Sequence, residues 1–365
     1  MRILHVITML DVGGAERLIA DLLPILREKG HQVDLLLFNG VETTLKEAIT
    51  QKKIQIFELT RGKDVYHYFW DVYNPSHIIK LRCYLKKYDI IHTHNTACQL
   101  YVPLARMIFG LSVPLVTTEH SPSNRRRTKW WFKPIDKWMY NQYNSVICIA
   151  DKTRKNLEDY IGPHENNVTI SNGVDVNKFL KPIKDISSQS SFVITMVAGL
   201  RAEKDHETLF NAMTYLPDNY SLSIVGGGVR EQELKKTCER LCLNDRITFM
   251  GVQSDIPGIL DQSDILVLSS HWEGLSLSSI EGMASGRPFI ASDVDGLREM
   301  VGGAGVLFPH GDSKTLAEKI QYLCEHPDEY RQVAQRCQEK AKQYDISIMA
   351  EKYSQLYNNM CGDKS

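Results

Sequence analysis

The sequence predicts an α/β protein made of two parallel-sheet domains, and three observations carry that prediction. Short continuous runs of Val, Ile and Leu alternate with amphipathic segments along the chain, as expected for strands buried on both faces beneath helices. The alternation comes in two series, separated by a polar, Ser-rich stretch, Lys181–Ser191, that holds a proline and has no periodicity. A length of 365 residues is enough for two cores of ordinary size.

In the first series the apolar runs are RILHVIT, QVDLLLF, IQIFEL, YDIIHTH, VPLVTTE, SVICIA and NVTISN, each read as a strand. Between the first two lies GAERLIADLLPILREKG, where Leu18, Leu22, Leu23 and Leu26 keep helical spacing and Gly30 offers a C-terminal stop. After the break the runs are FVITMVAGL, YSLSIVGGG, RITFMG, DILVLSS, RPFIASD and GVLFPHGD, with a helical segment between each pair. ISIMAEKYSQLYNNM then reads as an amphipathic helix beyond the last strand. The expected division is a first domain over 1–180, a linker over 181–191, a second domain over 192–340 and a C-terminal helix over 341–365. Two such domains place a ligand-binding cleft between them.

The formal net charge of −1 supplies no global field that would draw in nucleic acid or membrane, so any such affinity needs a local patch. Eight cysteines form no CxxC pair and no zinc-like spacing, and read as buried free thiols of a reducing cytosol. The apolar start MRILHVITML reads as a first strand, and no run approaches the ~18–20 apolar residues of a membrane span. The expectation is a cytoplasmic protein, with a peripheral place on the inner face of the cell membrane left open.

Three motifs carry chemistry. In DVGGAERLIADLL, Gly13 and Gly14 lie between a strand and a helix, where backbone can approach a ligand and the helix N-terminus suits an anion; a tight strand-to-helix turn would use the same glycines. In VAGLRAEKDHETL, Arg201 and Lys204 follow a strand, and two cations three residues apart suit a diphosphate on which negative charge develops. In HWEGLSLSSIEGMASGRPF, Glu273 and Glu281 bracket a turn and a helix start. Loop plus helix separates these carboxylates by on the order of 10 Å or more, too far for the ~5 Å of a retaining glycosidase pair and beyond the ~6.5–9.5 Å of an inverting one. They are expected to accept hydroxyl hydrogen bonds on either side of a bound phosphate.

The spacing Glu273-x₇-Glu281, together with GGAER, TEHS, NGVD, AGLRAEKDHETL, IVGGG and ITFMG in that order, resembles the retaining glycosyltransferases of family 4. The resemblance implies the GT-B fold, two Rossmann-like domains facing a central cleft, with the C-terminal helix crossing back to the first domain. It implies a nucleotide-diphospho-sugar donor and a glycan or polyprenyl-linked acceptor in cell-surface polysaccharide synthesis. By that resemblance Glu281 binds the nucleotide ribose, Arg201 and Lys204 the diphosphate, and Glu273 hydroxyls of the donor sugar beside Gly274. Ser276, Leu277 and Ser278 lend backbone amides, Gly13 and Gly14 approach phosphate and acceptor, and His120 lies near the transferred sugar. Asn172–Asp175 shape the interdomain connection. Retention is expected without a protein nucleophile, and no DxD-type motif at a strand end calls for a metal or other cofactor. The chain departs from the pattern at Leu200, which is inserted, at Asp205, which stands where glycine is common, and at Ser278, which stands where proline is common.

Arg125, Arg126, Arg127 and Lys129 precede Trp130, Trp131 and Phe132 in an otherwise neutral protein. Such a basic aromatic patch suits an anionic membrane surface or a lipid-diphosphate acceptor, and equally a solvated loop leading into a packed helix; nucleic acid is not expected. Two other functions remain compatible with these residues: a sugar-nucleotide epimerase on the same fold, and an inactive nucleotide-sugar-binding protein.

Overall fold

The computed structural model describes residues 1–10, 13–62, 71–121, 127 and 129–362. They form two compact units, Met1–Gly173 with Ile346–Ser365, and Val174–Asp345.

The first unit is built on seven strands: β1 (Arg2–Ile7), β2 (Gln32–Asn39), β3 (Ile56–Thr60), β4 (Ile90–His94), β5 (Leu115–Glu119), β6 (Ser145–Cys148) and β7 (Asn167–Thr169). They pair in the order β3-β2-β1-β4-β5-β6-β7, every pair parallel. The order reverses between β1 and β4, and such a reversal opens a crevice at the strands' carboxyl ends. Helix Gly14–Glu28 buries Leu18, Leu22, Leu23 and Leu26, and Gly30 follows it in the left-handed region at φ +89°. Helix Ile346–Gly362 completes this unit: Tyr353 and Tyr357 are fully buried, and Lys29 Nζ lies 2.6 Å from Glu351 Oε2.

The second unit carries β8 (Phe192–Val197), β9 (Tyr220–Val225), β10 (Ile247–Gly251), β11 (Ile265–Leu268), β12 (Phe289–Ser292) and β13 (Val306–Phe308). Their order is β10-β9-β8-β11-β12-β13, again all parallel, with the reversal between β8 and β11.

The boundary differs from the expected one. It falls at Gly173/Val174, within Asn172–Asp175, and Lys181–Ser191 belongs to the second unit. Val174, Val176, Phe179 and Ile186 join that unit's core, Lys184 Nζ pairs with Asp264 Oδ1 at 2.7 Å, and Arg287 Nη1 donates to Pro182 O at 3.3 Å. A polar average over the segment hides these few anchoring residues. At the other end Asp345, not residue 340, closes the unit, where it bridges Val174.

All eight cysteines are free. Cys98, Cys148, Cys238, Cys324 and Cys337 are buried as expected, whereas Cys83 and Cys242 are exposed. Burial pushes the Cys148 thiol up to about 12, which keeps it protonated and inert. Among the described residues no helix is long and apolar enough to cross a membrane.

Candidate functional site

Each unit gathers polar side chains at the carboxyl ends of the strands flanking its reversal. In the first, a cavity of about 290 Å³ is lined by Thr8 after β1, Asn95 after β4, and Thr118, Glu119 and His120 at the end of β5. Asn95 adopts φ 65°, ψ 155°, a conformation that L residues rarely take; it costs on the order of 1–3 kcal/mol and persists where surrounding structure demands it. Its amide donates to Thr8 Oγ1 at 3.3 Å and to Glu16 Oε1 at 3.4 Å, which ties the cavity wall to the first turn of helix Gly14–Glu28. Gly13 is the extended N-cap of that helix, with no side-chain capping bond, and Gly14 is its first residue.

The period-two pleat sets His5, His92, His94, Thr118 and His120 on one face of the sheet, because His5 is in register with His92 and His94 with Thr118. His5 Nδ1 lies 3.0 Å from His94 Nε2, and His94 Nδ1 lies 3.0 Å from His120 Nε2. His92 is held by Tyr357 OH at 2.6 Å and by Thr118 Oγ1 at 2.8 Å. Burial drives the His120 imidazole down to about 4 and that of His5 to about 3. The sequence reading found His120 and missed the other three. The signal was present in the alternating HTH of β4, inside a strand otherwise apolar.

In the second unit, Arg201 follows β8 with an exposed side chain, and Lys204 closes a short 3₁₀ turn, Ala202–Lys204. Ser269 and Ser270 follow β11, then Glu273. Lys204 Nζ meets Glu273 Oε1 at 2.5 Å, and Ser270 Oγ donates to the same oxygen at 2.7 Å. The two loops are stitched together: His271 N donates to Glu203 O at 2.8 Å and Ser269 Oγ to Asp205 O at 2.8 Å. Gly296, at φ +85°, lies over the Glu273–Gly274 backbone, where a Cβ would stand 2.5 Å from Glu273 O. Ser276 caps helix Leu277–Ala284 by accepting from Ser279 N at 3.3 Å, so Leu277 and Ser278 occupy the first turn, whose amides have no partner within the helix. Glu281 sits farther along that helix, buried.

The departures at 200, 205 and 278 have local causes. Leu200 is buried in the second core. Asp205 takes the left-handed region at φ 48° and caps helix His206–Met213, accepting from Thr208 N and Thr208 Oγ1. Ser278 Oγ lies 3.1 Å from Ser276 Oγ at the helix start.

The basic aromatic patch needs a correction. Arg127 is no free cation: its guanidinium lies 3.2 Å from Glu119 Oε2, both side chains nearly buried, and Tyr140 OH donates to the same oxygen. Residue type and spacing alone do not show that contact. Trp130 and Trp131 are exposed, at 83% and 52%, with Lys129 Nζ 5.4 Å from the Trp131 ring centroid. Arg125 and Arg126 lie outside the described residues.

Among the described residues two groups have the ligand types a metal needs: His5, His92 and His94, and Asp205, His271 and His310. In the first, both His92 nitrogens are engaged and the other two rings bond to each other, so the lone pairs do not converge. In the second, His271 Nδ1 is 2.6 Å from His310 Nε2, a closed hydrogen bond, and the carboxylate is the helix cap.

The glycosyltransferase family 4 model matches residues 12–178, and the glycosyl transferases group 1 model matches residues 181–344. The chain is 30% identical over 231 residues to the UDP-Gal:alpha-D-GlcNAc-diphosphoundecaprenol alpha-1,3-galactosyltransferase of Escherichia coli, a match spanning 58% of this chain and 59% of that protein. It is 24% identical to the GalNAc-alpha-(1->4)-GalNAc-alpha-(1->3)-diNAcBac-PP-undecaprenol alpha-1,4-N-acetyl-D-galactosaminyltransferase of Campylobacter jejuni, over 98% of both chains. The crystal structure of Anabaena Alr3699/HepE in complex with UDP and glucose shares the fold, with a TM-score of 0.84 at 22% identity over 98% of this chain and 100% of that one. The two family matches run end to end over nearly the whole sequence, and the chain belongs to the family 4 glycosyltransferases.

Proposed function

We propose that the protein is a retaining glycosyltransferase that moves a sugar from a nucleotide-diphospho-sugar to a hydroxyl of a glycan or lipid-linked acceptor in cell-surface polysaccharide synthesis. The observation that carries this reading is the Lys204–Glu273 pair at the reversal point of the second sheet, in the same loop system as the serine-capped start of helix Leu277–Ala284. A cation and unpartnered helix amides suit the diphosphate. Lys204, beside Arg201, would stabilise the charge gathering on the departing phosphate, Glu273 would hold hydroxyls of the donor sugar, and Glu281 the ribose.

In the transfer the bond from the anomeric carbon to the phosphate oxygen breaks and its electron pair leaves with the phosphate. The acceptor oxygen bonds to the same face, and its proton passes to the phosphate oxygen. No protein nucleophile takes part, which accords with a Glu273 carboxylate already engaged by Lys204 and Ser270. We assign the chemistry no metal.

The names of the Escherichia coli and Campylobacter jejuni relatives carry undecaprenol-linked acceptors, and UDP stands both in the former name and in the Anabaena structure's description. A UDP-sugar donor and a polyprenyl-diphosphate acceptor therefore come first. Exposed Trp130 and Trp131 beside Lys129 and Lys133 suit contact with the cytoplasmic face of the membrane that holds such an acceptor.

Thermal unfolding with chelator present, against UDP-, GDP- and ADP-sugars, tests the reading, since a ligand of the folded state must raise the melting temperature. The sugar nucleotide of one base is expected to stabilise the protein and to be slowly hydrolysed to free sugar and nucleoside diphosphate. Binding with no turnover, or release of an epimerised sugar nucleotide, would overturn it.

A further inference from the structure

Between Tyr73 and Ala150 eleven Lys and Arg stand against three Asp and Glu, in a chain whose formal net charge is −1. The fold keeps those three acids from offsetting the cations: Glu119 and Asp136 are buried, and Asp89 is paired with Arg2 at 3.0 Å. Helices Ser76–Leu85, Thr96–Ile108 and Lys133–Tyr140 pack into one core against a single face of the first sheet, so their other sides make one outer layer.

Helical period sets what that layer shows. Ser76–Leu85 buries His77, Leu81 and Leu85, which leaves Ile79, Arg82 and Lys86 exposed on the opposite side. Thr96–Ile108 buries Tyr101, Val102 and Ala105, and its last turn exposes Met107 and Ile108. Lys133–Tyr140 buries Met139 and Tyr140 and exposes Lys133, Ile135 and Lys137; the turn that enters it exposes Lys129, Trp130 and Trp131. The helices are joined at their ends: Arg82 Cζ lies 5.2 Å from the Phe109 ring centroid, and Arg106 Nη2 donates to Gln142 O at 2.7 Å. Among the described residues thirteen large apolar side chains are exposed, and six of them stand on this layer and its entering turn. Apolar side chains gathered among cations, with the segment's own carboxylates buried or paired, fit an anionic bilayer. The cations meet lipid headgroups while the apolar tips enter the acyl boundary.

We propose that the outer face of this helix layer is a docking surface for a membrane carrying anionic phospholipid, on which Arg82, Lys86, Met107 and Ile108 bind the bilayer together with the Trp130–Trp131 turn. The layer lies parallel to the sheet, so docking sets the sheet's carboxyl edge and its cavity beside the bilayer, not beneath it. What the cavity receives there rests on the glycosyltransferase reading; the docking does not.

The test is sedimentation of the full chain with vesicles of phosphatidylglycerol and phosphatidylcholine, against phosphatidylcholine alone. The native protein should sediment with the anionic vesicles and lose most of that binding in high salt. Arg82→Gln with Lys86→Gln should lower the partition coefficient about fivefold for each cation lost, about twenty-five-fold for the pair. Met107→Ser with Ile108→Ser should lower it severalfold. Both pairs are exposed, so both variants should keep the native melting temperature and its rise with sugar nucleotide. Native partition in both variants would overturn the proposal and leave the tryptophan turn acting alone. So would equal binding to neutral vesicles, or capture on heparin with none on anionic vesicles, the mark of a polyanion site. Vesicle binding that follows the prediction, in a protein that turns over no sugar nucleotide, would instead sink the functional reading and leave the docking surface standing.

Discussion

At the reversal point of the first sheet the wall is built of neutral imidazoles, an amide and hydroxyls, with the buried Glu119–Arg127 pair beside them, whereas the second sheet offers a lysine–carboxylate pair and the start of a helix. The strand topology is the same in kind, a parallel sheet whose order turns back once. What differs is the dielectric cost each site accepts. Neutral groups can be buried completely and ordered by mutual hydrogen bonds, and they suit hydroxyls. In the proposed reaction Lys204, the cation that would meet the diphosphate, is partly exposed with the Glu273 carboxylate beside it. On the proposed function one doubly wound plan would thus serve two recognition chemistries, with the loops after the strands choosing between them.

The contrast can be broken at its charged end first. Lys204→Ala should lower kcat by about a hundredfold to a thousandfold, the usual cost of losing a group that stabilises charge in the transition state, with donor affinity changed much less. Steady-state kinetics beside donor titration decide it, and equal losses in both would make Lys204 a general binding residue. Next, Glu281→Ala should weaken donor binding by about tenfold to a hundredfold, as for a hydrogen bond to a charged group, while kcat at saturation changes little. Calorimetric titration with the preferred sugar nucleotide reads that directly, and unaltered affinity would remove Glu281 from the ribose site.

The neutral end is tested by pH. The folded-state values of His5, His92, His94 and His120 lie below the unfolded value near 6.5, so the unfolded chain binds protons that the folded one refuses. Stability is therefore whole above about 6.5 and is lost progressively as pH falls below it, for His120 down to about 4 and for His5 down to about 3, with a slope of up to about 1.4 kcal/mol per pH unit for each such imidazole. Urea midpoints between pH 7.5 and 5 should fall less steeply for His5→Phe than for the native chain; parallel slopes would mean that His5 does not titrate as its burial requires. The smallest effect belongs to the surface. Replacing Trp130 and Trp131 with serine should reduce association with anionic vesicles severalfold and leave donor binding untouched, and unchanged sedimentation with vesicles would remove the membrane role.

All thirteen strands correspond to runs visible in the chain, because a strand buried on both faces must be apolar nearly throughout, and that signal is local. The helix Gly14–Glu28, its Leu18-to-Leu26 stripe and the loop positions of Lys204 and Glu273 were legible for the same reason: each depends on a few consecutive residues. Membership of polar segments was not. Lys181–Ser191 reads as a linker, yet Ile186 and Lys184 bind it to the second unit through partners some eighty residues away in the case of Asp264.

The residues alone determined an α/β chain of two parallel sheets, and which loops carry cations, carboxylates and small residues, since composition and period are written residue by residue. Tertiary structure alone decided that Lys204 and Glu273 touch, that Arg127 is spent on Glu119, and that His5 and His94 stand behind His120. Those are contacts across the sheet or between separate loops, and strand order and register, which no short stretch encodes, set which side chains meet.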